Sequence, residues 1–167
     1  SRYAIFKIKP QQKIVKELRR QKKKKEDLPK DSLGIFSFSA RKTEKIADVK
    51  SFKIPGKAGG WLAYQLEIKK EEKPKTGDAA KPDPNKKPKK VKKNSDDNGY
   101  TLMLKKFDGQ ETQFGFVKDY TFSKFGQGLL FHSTGNDSTM KAGVYWYDLQ
   151  KQELKTLHEG KSKYKYK

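Results

Sequence analysis

The chain has no cysteine, only two histidines and no long apolar run, and each absence narrows what it can be. Without cysteine there is no disulfide framework and no thiolate metal site, and the compartment stays open, since many secreted proteins also lack disulfides. No apolar stretch approaches the roughly 18 residues that a membrane-spanning helix needs. The motif Gly-x-Ser-x-Gly, which holds a nucleophilic serine on a strained turn, does not occur. Ser39, Ser123 and Ser133 fall instead in turns or at polar strand positions. His132 follows an apolar strand and His158 falls between repeated units, so a metal site from this pair needs acids brought in by the tertiary fold. Asp119 and Asp148 stand at strand ends, where aspartate serves turns through its side-chain acceptor. The acids show no paired pattern of the glycosidase kind. The sequence therefore nominates no catalytic, cofactor-binding or metal residues, and no cofactor is expected.

What the chain has in quantity is charge. Of its 167 residues 36% are charged and only 32% are apolar, with a formal charge of +20. The charge is not evenly spread. Residues 11–31 hold nine Lys or Arg against four acids, residues 69–98 hold eleven Lys against six acids, and the last seven residues hold four Lys. The rest, rich in Tyr, Phe, Leu, Ile, Val and Gly, has the composition of short strands and turns. The lysine runs 22–25 and 86–93 suit a nucleic-acid or acidic partner, or simply a solvated loop. Neither run is interleaved with the aromatics that stack on bases, so nucleic acid is the less expected partner.

That β-rich body repeats. An apolar strand ending in an aromatic recurs as Tyr3-Ala4-Ile5-Phe6, Trp61-Leu62-Ala63-Tyr64 and Gly128-Leu129-Leu130-Phe131. A second strand follows at 34–38, 101–104 and 143–147, then a polar turn, then a polar strand at 43–46, 111–114 and 153–157. Strands at 49–54 and 117–122 lead through Gly-containing turns back to the aromatic-ended strand, and 163–166 begins another. Four antiparallel strands joined as a meander, in series, make the blades of a propeller. The spacing exceeds the usual blade of about 40–50 residues, but the excess falls in one equivalent connection, where both basic insertions lie. Trp61, Tyr145, Trp146 and Tyr147 are strand-spaced and suit packing between blades; a sugar-stacking platform is the other reading.

The fold expected is therefore all-β, an incomplete β-propeller of four-stranded antiparallel blades with one short helical insertion. Residues 1–47 close one blade and carry the insertion 10–32, 48–115 form a blade with a disordered Lys/Pro-rich insertion at 69–98, 116–159 form another, and 160–167 start the next. Within the first insertion Ile14, Val15 and Leu18 predict a short amphipathic helix in 11–25, ending before Pro29, whose apolar stripe leans on the body. The second holds Pro74, Pro82, Pro84 and Pro88, with Val91 its one large apolar residue, and cannot bury enough to offset its ordering entropy. Closed propellers need at least about four blades. The chain is thus expected to be a segment whose remaining blades come from the same polypeptide.

The run Lys24-Lys25-Glu26-Asp27-Leu28-Pro29-Lys30-Asp31-Ser32-Leu33-Gly34-Ile35 resembles the propeller of large bacterial serine peptidases of the prolyl oligopeptidase family. So do Gly60-Trp61-Leu62-Ala63-Tyr64-Gln65-Leu66 and Tyr120-Thr121-Phe122-Ser123. The resemblance implies a propeller that caps an α/β-hydrolase domain and filters peptide substrates by size. It places the Ser-Asp-His triad in that downstream domain, and no position here matches a triad residue. It also implies export, to the periplasm or outside the cell. The partners would be the rest of the polypeptide and the peptide substrate. The other function class open to this sequence is a non-enzymatic propeller scaffold that binds a protein or polyanion through its basic loops.

Overall fold

A computed structural model of the chain describes residues 2–24, 27–67, 97–135 and 140–160. The expected Lys/Pro-rich loop and the start of a further strand at 163–166 lie almost wholly outside these residues. Ten strands and one helix follow in order: β1 (Tyr3–Ile8), α1 (Gln12–Arg20), β2 (Ser32–Ser37), β3 (Lys42–Ile46), β4 (Val49–Lys53), β5 (Trp61–Leu66), β6 (Tyr100–Lys106), β7 (Glu111–Phe122), β8 (Gly128–Ser133), β9 (Gly143–Asp148) and β10 (Glu153–Glu159). The protein is all-β apart from the short helix. β1, β2 and β3 form a three-stranded sheet, and β4 to β10 form a seven-stranded sheet in which every strand pairs with its chain neighbour. All pairings are antiparallel, and neither sheet closes on itself.

The segments 111–114 and 117–122, expected as two strands, are one twelve-residue strand with a bend. β6 pairs with β7 as far as Val117, and β8 pairs with it from Val117 onward. Just before that residue Phe116 adopts φ 57°. The bend folds the seven-stranded sheet into two arms whose facing sides fill with apolar residues. Leu102, Leu104 and Phe114 of one arm share a core cluster with Leu129, Phe131, Tyr145 and Tyr147 of the other. The Phe114 ring centroid lies 4.6 Å from that of Phe131 and 5.4 Å from that of Tyr147. A second cluster joins Leu33 and Ile35 of β2 to Val49, Leu62 and Tyr64 on the opposite side of the first arm. Three antiparallel layers therefore stack face to face, and the two clusters are the core.

The repeat extends to the backbone. Asp48, before Val49, has the same φ of 57° as Phe116 before Val117. The Asp48 carbonyl accepts a hydrogen bond from Glu67 N (2.7 Å), and the Phe116 carbonyl accepts one from Thr134 N (2.9 Å). Phe107 N donates to Gly60 O at 3.0 Å, as Leu149 N donates to Gln127 O at 3.0 Å. The strand that follows each crossing carries a register shift at a lysine, Lys50 in β4 and Lys118 in β7. Such coincidences of dihedral, hydrogen bond and bulge mark one supersecondary unit built twice.

The helix, expected to be short and to end before Pro29, ends at Arg20. Lys22 takes φ 54°, Lys22 N donates to Arg19 O and Lys23 N donates to Leu18 O. This is the Schellman arrangement, with lysine where glycine is usual. Arg19 and Arg20 in the last turn complement the negative end of the helix dipole. Val15 and Leu18 are half-buried and Ile14 is 48% exposed, so the apolar stripe is only partly covered.

Candidate functional site

The residues that could have carried chemistry are mostly spent on turns and packing. Ser123 Oγ accepts from Gln127 N (2.8 Å) and Gly128 N (3.2 Å), which closes the turn before β8. Ser133 is fully buried, donates to Gly115 O (3.0 Å) and accepts from Gly135 N (3.1 Å). Ser39 contacts only the Ser37 hydroxyl in an exposed turn. Asp148 accepts from Gln150 N (2.9 Å) and Lys151 N (3.0 Å), and these backbone donors lower its carboxyl pKa. Asp119 lies opposite His132 in the β7–β8 register. His132 is half-buried; burial, then the nearby Lys118, lowers its pKa, with Asp119 opposing. His158 is exposed on β10, and both histidines face Val144 of β9 from either side. β9 stands between their strands, so their backbones lie two inter-strand spacings, about 10 Å, apart. Among the described residues no three His, Cys, Asp or Glu gather where they could hold a metal ion.

The four aromatics divide by strand alternation. Tyr145 and Tyr147 are buried in the core, and the Tyr145 hydroxyl donates to Lys141 O at 2.8 Å. Trp146 points from the opposite face, half-buried, and lies so close over Gly128 that a Cβ there would stand 2.2 Å from the indole. Trp61 packs at the margin of the core cluster.

Two polar groups between the layers were not legible in the sequence. Gln65, buried in β5, donates through Nε2 to Val117 O (2.9 Å) and Lys118 O (3.3 Å), carbonyls at the bend of β7. Its Oε1 accepts from Ser51 Oγ at 3.0 Å, and that hydroxyl lies 2.9 Å from the Tyr120 hydroxyl. Lys53 Nζ donates to Tyr120 O and lies 5.0 Å from the Tyr120 ring centroid. Burial pushes the Tyr120 phenol up to about 12, with the Ser51 hydrogen bond working against the rise. The other group is Lys105, which bridges Glu44 of β3 (2.5 Å) and Glu111 of β7 (3.0 Å) and so ties the two sheets together. Burial disfavours its charge, but the hydrogen bonds to both carboxylates more than compensate, and its pKa is raised. Beside it, burial and then the Glu111 charge push Tyr64 up to about 12.

Among the described residues a cleft lies at the end of the layers where β1 and β5 begin and β6 ends. It has a volume of about 560 Å³ and is lined by Arg2, Tyr3, Trp61, Lys106, Phe107 and Asp108, with glycines 59 and 60 among the others. Tyr3 and Phe107, both in its lining, stack directly on each other with centroids 4.2 Å apart and planes inclined by 14°. Lys106 pairs with Asp108 at 2.6 Å and stands 5.7 Å from the Trp61 ring centroid. Fold and geometry together define a layered β module with a cleft lined by aromatic, apolar and basic side chains. The sequence matches no protein-family model and no curated protein.

Proposed function

We propose that this chain is a segment of a β-propeller, the substrate-gating cap of a prolyl-oligopeptidase-like serine peptidase. One observation carries the propeller part. On the first arm the cross-strand pairs Ala63–Leu104 and Leu102–Phe114 are buried because the second arm covers them. Their counterparts on the second arm are Leu130–Trp146 and Val144–His158, which are half-buried or exposed. At the other end of the stack Phe6 and Phe38, on the free side of the three-stranded sheet, are 42% and 53% exposed. Apolar side chains at positions that the repeat buries internally are the signature of layers made to be followed by more layers.

The peptidase part rests on the family resemblance of residues 24–35, 60–66 and 120–123. In this reading the chain holds and positions; nucleophile, base and acid belong to a downstream hydrolase domain, and the protein is exported. The encoding gene decides it: further blades followed by a Gly-x-Ser-x-Gly motif support the peptidase, and a stop codon directly after blade closure removes it.

A second reading, a scaffold that binds a polyanion, is favoured by the fully exposed run Arg19, Arg20, Lys22, Lys23 and Lys24. It requires binding that weakens steeply with salt. Absence of binding to a polyanion such as heparin at low ionic strength removes it.

A further inference from the structure

The repeat supplies an internal control for the cleft at the end of the layers. Tyr3 and Trp61 open equivalent strands, and Phe107 and Leu149 follow equivalent strands with the same backbone hydrogen bond. Where the two arms meet, that place is closed: Leu149 is 4% exposed, and Trp61 and Phe122 pack against the same core cluster. Where the three-stranded sheet meets the first arm, it stands open with about 560 Å³ of space. The cavity is therefore not a consequence of the fold, which fills the matching place with an aliphatic side chain.

Its lining selects for chemistry. The lining is largely apolar: Tyr3 stacks on Phe107, Ile5 and Ile54 join them, and Trp61 reaches the margin of the cleft from the side of the first core cluster. Lys106 is neutralised by Asp108, whereas Arg2, exposed at the cleft, makes no ion pair with any described residue. One uncompensated guanidinium beside an exposed aromatic face matches a planar ring that carries a carboxylate close by, since arginine binds carboxylates with two parallel donors and rings stack on rings. Glycine 59 lines the cleft with ordinary φ, and a Cβ built there meets nothing within 4 Å.

We propose that the cleft between β1, β5 and the β6–β7 turn is a binding site for an aromatic carboxylate, such as the C-terminal aromatic residue of a peptide. The open face of the Tyr3–Phe107 stack holds the ring, Arg2 holds the carboxylate, and Trp61 at the margin reports on occupancy. This site stands or falls independently of the peptidase reading.

The probe is N-acetyl-L-phenylalanine, with its C-terminal amide as the neutral control. Both are titrated into the full chain carrying Trp146→Phe, so that Trp61 is the only tryptophan. The expected result is a saturable change in Trp61 fluorescence with the acid and binding about tenfold weaker with the amide, the loss of one charge-assisted contact. Arg2→Ala should bring the acid down to the level of the amide while leaving the amide unchanged. Gly59→Leu should abolish binding of both while leaving the unfolding midpoint where it was. No saturable change with the acid, equal binding of acid and amide, or undiminished binding to Gly59→Leu overturns the proposal.

Discussion

The hydroxyls of Ser51 and Tyr120, 69 residues apart in sequence, lie 2.9 Å from each other and join two equivalent strands of the repeat. With Gln65 they form the polar seam along which the second arm is fixed to the first. Gln65 donates to two carbonyls at the bend of β7, those of Val117 and Lys118.

Gln65→Leu keeps a similar side-chain volume but removes the donor from both carbonyls, of which the contact to Val117 O is buried. A loss on the order of 1–3 kcal/mol is expected, because a buried acceptor without a donor bears its full desolvation cost. Tyr120→Phe, which removes only one hydroxyl contact, should cost about 1 kcal/mol. Denaturant midpoints of the two variants check the order. Equal losses would show that Gln65 does no more than fill space.

Alkaline pH should unfold the protein in a defined window. Tyr64 and Tyr120 both have phenols pushed up to about 12 by burial. A tyrosine ionises near 10 when unfolded, so between pH 10 and 12 the folded chain binds more protons than the unfolded one. Stability is therefore fully present below pH 10 and falls as pH rises through the folded values. The slope of stability against pH, measured by urea unfolding, should be shallower over this window in Tyr120→Phe, and an unchanged slope would contradict the assignment.

The crossing between sheets constrains Asp48, which holds φ 57°. A left-handed residue of this kind costs roughly 1–2 kcal/mol for most side chains, most of all for β-branched ones. Asp48→Gly should be at least as stable as the parent, and Asp48→Val should fall below Asp48→Gly by more than about 1 kcal/mol. Thermal unfolding of the pair reads this directly, and a valine variant as stable as the glycine variant would deny the strain.

Neighbouring aromatics on β9 should differ sharply. Tyr147 is buried in the core cluster, so Tyr147→Ala should cost on the order of 3 kcal/mol or more. Trp146, on the open face, should cost clearly less as Trp146→Ala despite its larger ring. A larger loss at Trp146 than at Tyr147, read from unfolding midpoints, would place the core on the wrong face of β9.

Much of the fold was legible because strand alternation and aromatic endings are local signals. Tyr3-Ala4-Ile5-Phe6 and its two counterparts each mark a strand that the structure contains. Local signals fell short where the deciding partner was remote. The end of the helix was bounded only by Pro29; the lysines after Gln21 are good helix formers, but no apolar residue among them holds a further turn against the body. Gly115 and Phe116 read as an end of a strand, whereas the pairing of Val117 with both Tyr100 and Ser133 makes them a bend within one. The Gln65 network and the cleft could not be read at all, since their members come from segments tens of residues apart. Nothing in the local pattern of Tyr3 or Phe107 says that the two rings stack.

The open face of the second arm bears most directly on the propeller reading, and Trp146 reports on it. In Trp61→Phe, acrylamide quenching of Trp146 can be compared between this chain and the complete product of its gene. The propeller reading predicts strong protection of Trp146 in the complete product, since in that reading a further blade would cover Leu130, Val144 and Trp146 as the second arm covers Ala63, Leu102 and Leu104. Equal quenching in both would mean that no further layer packs there, and the propeller reading would fail.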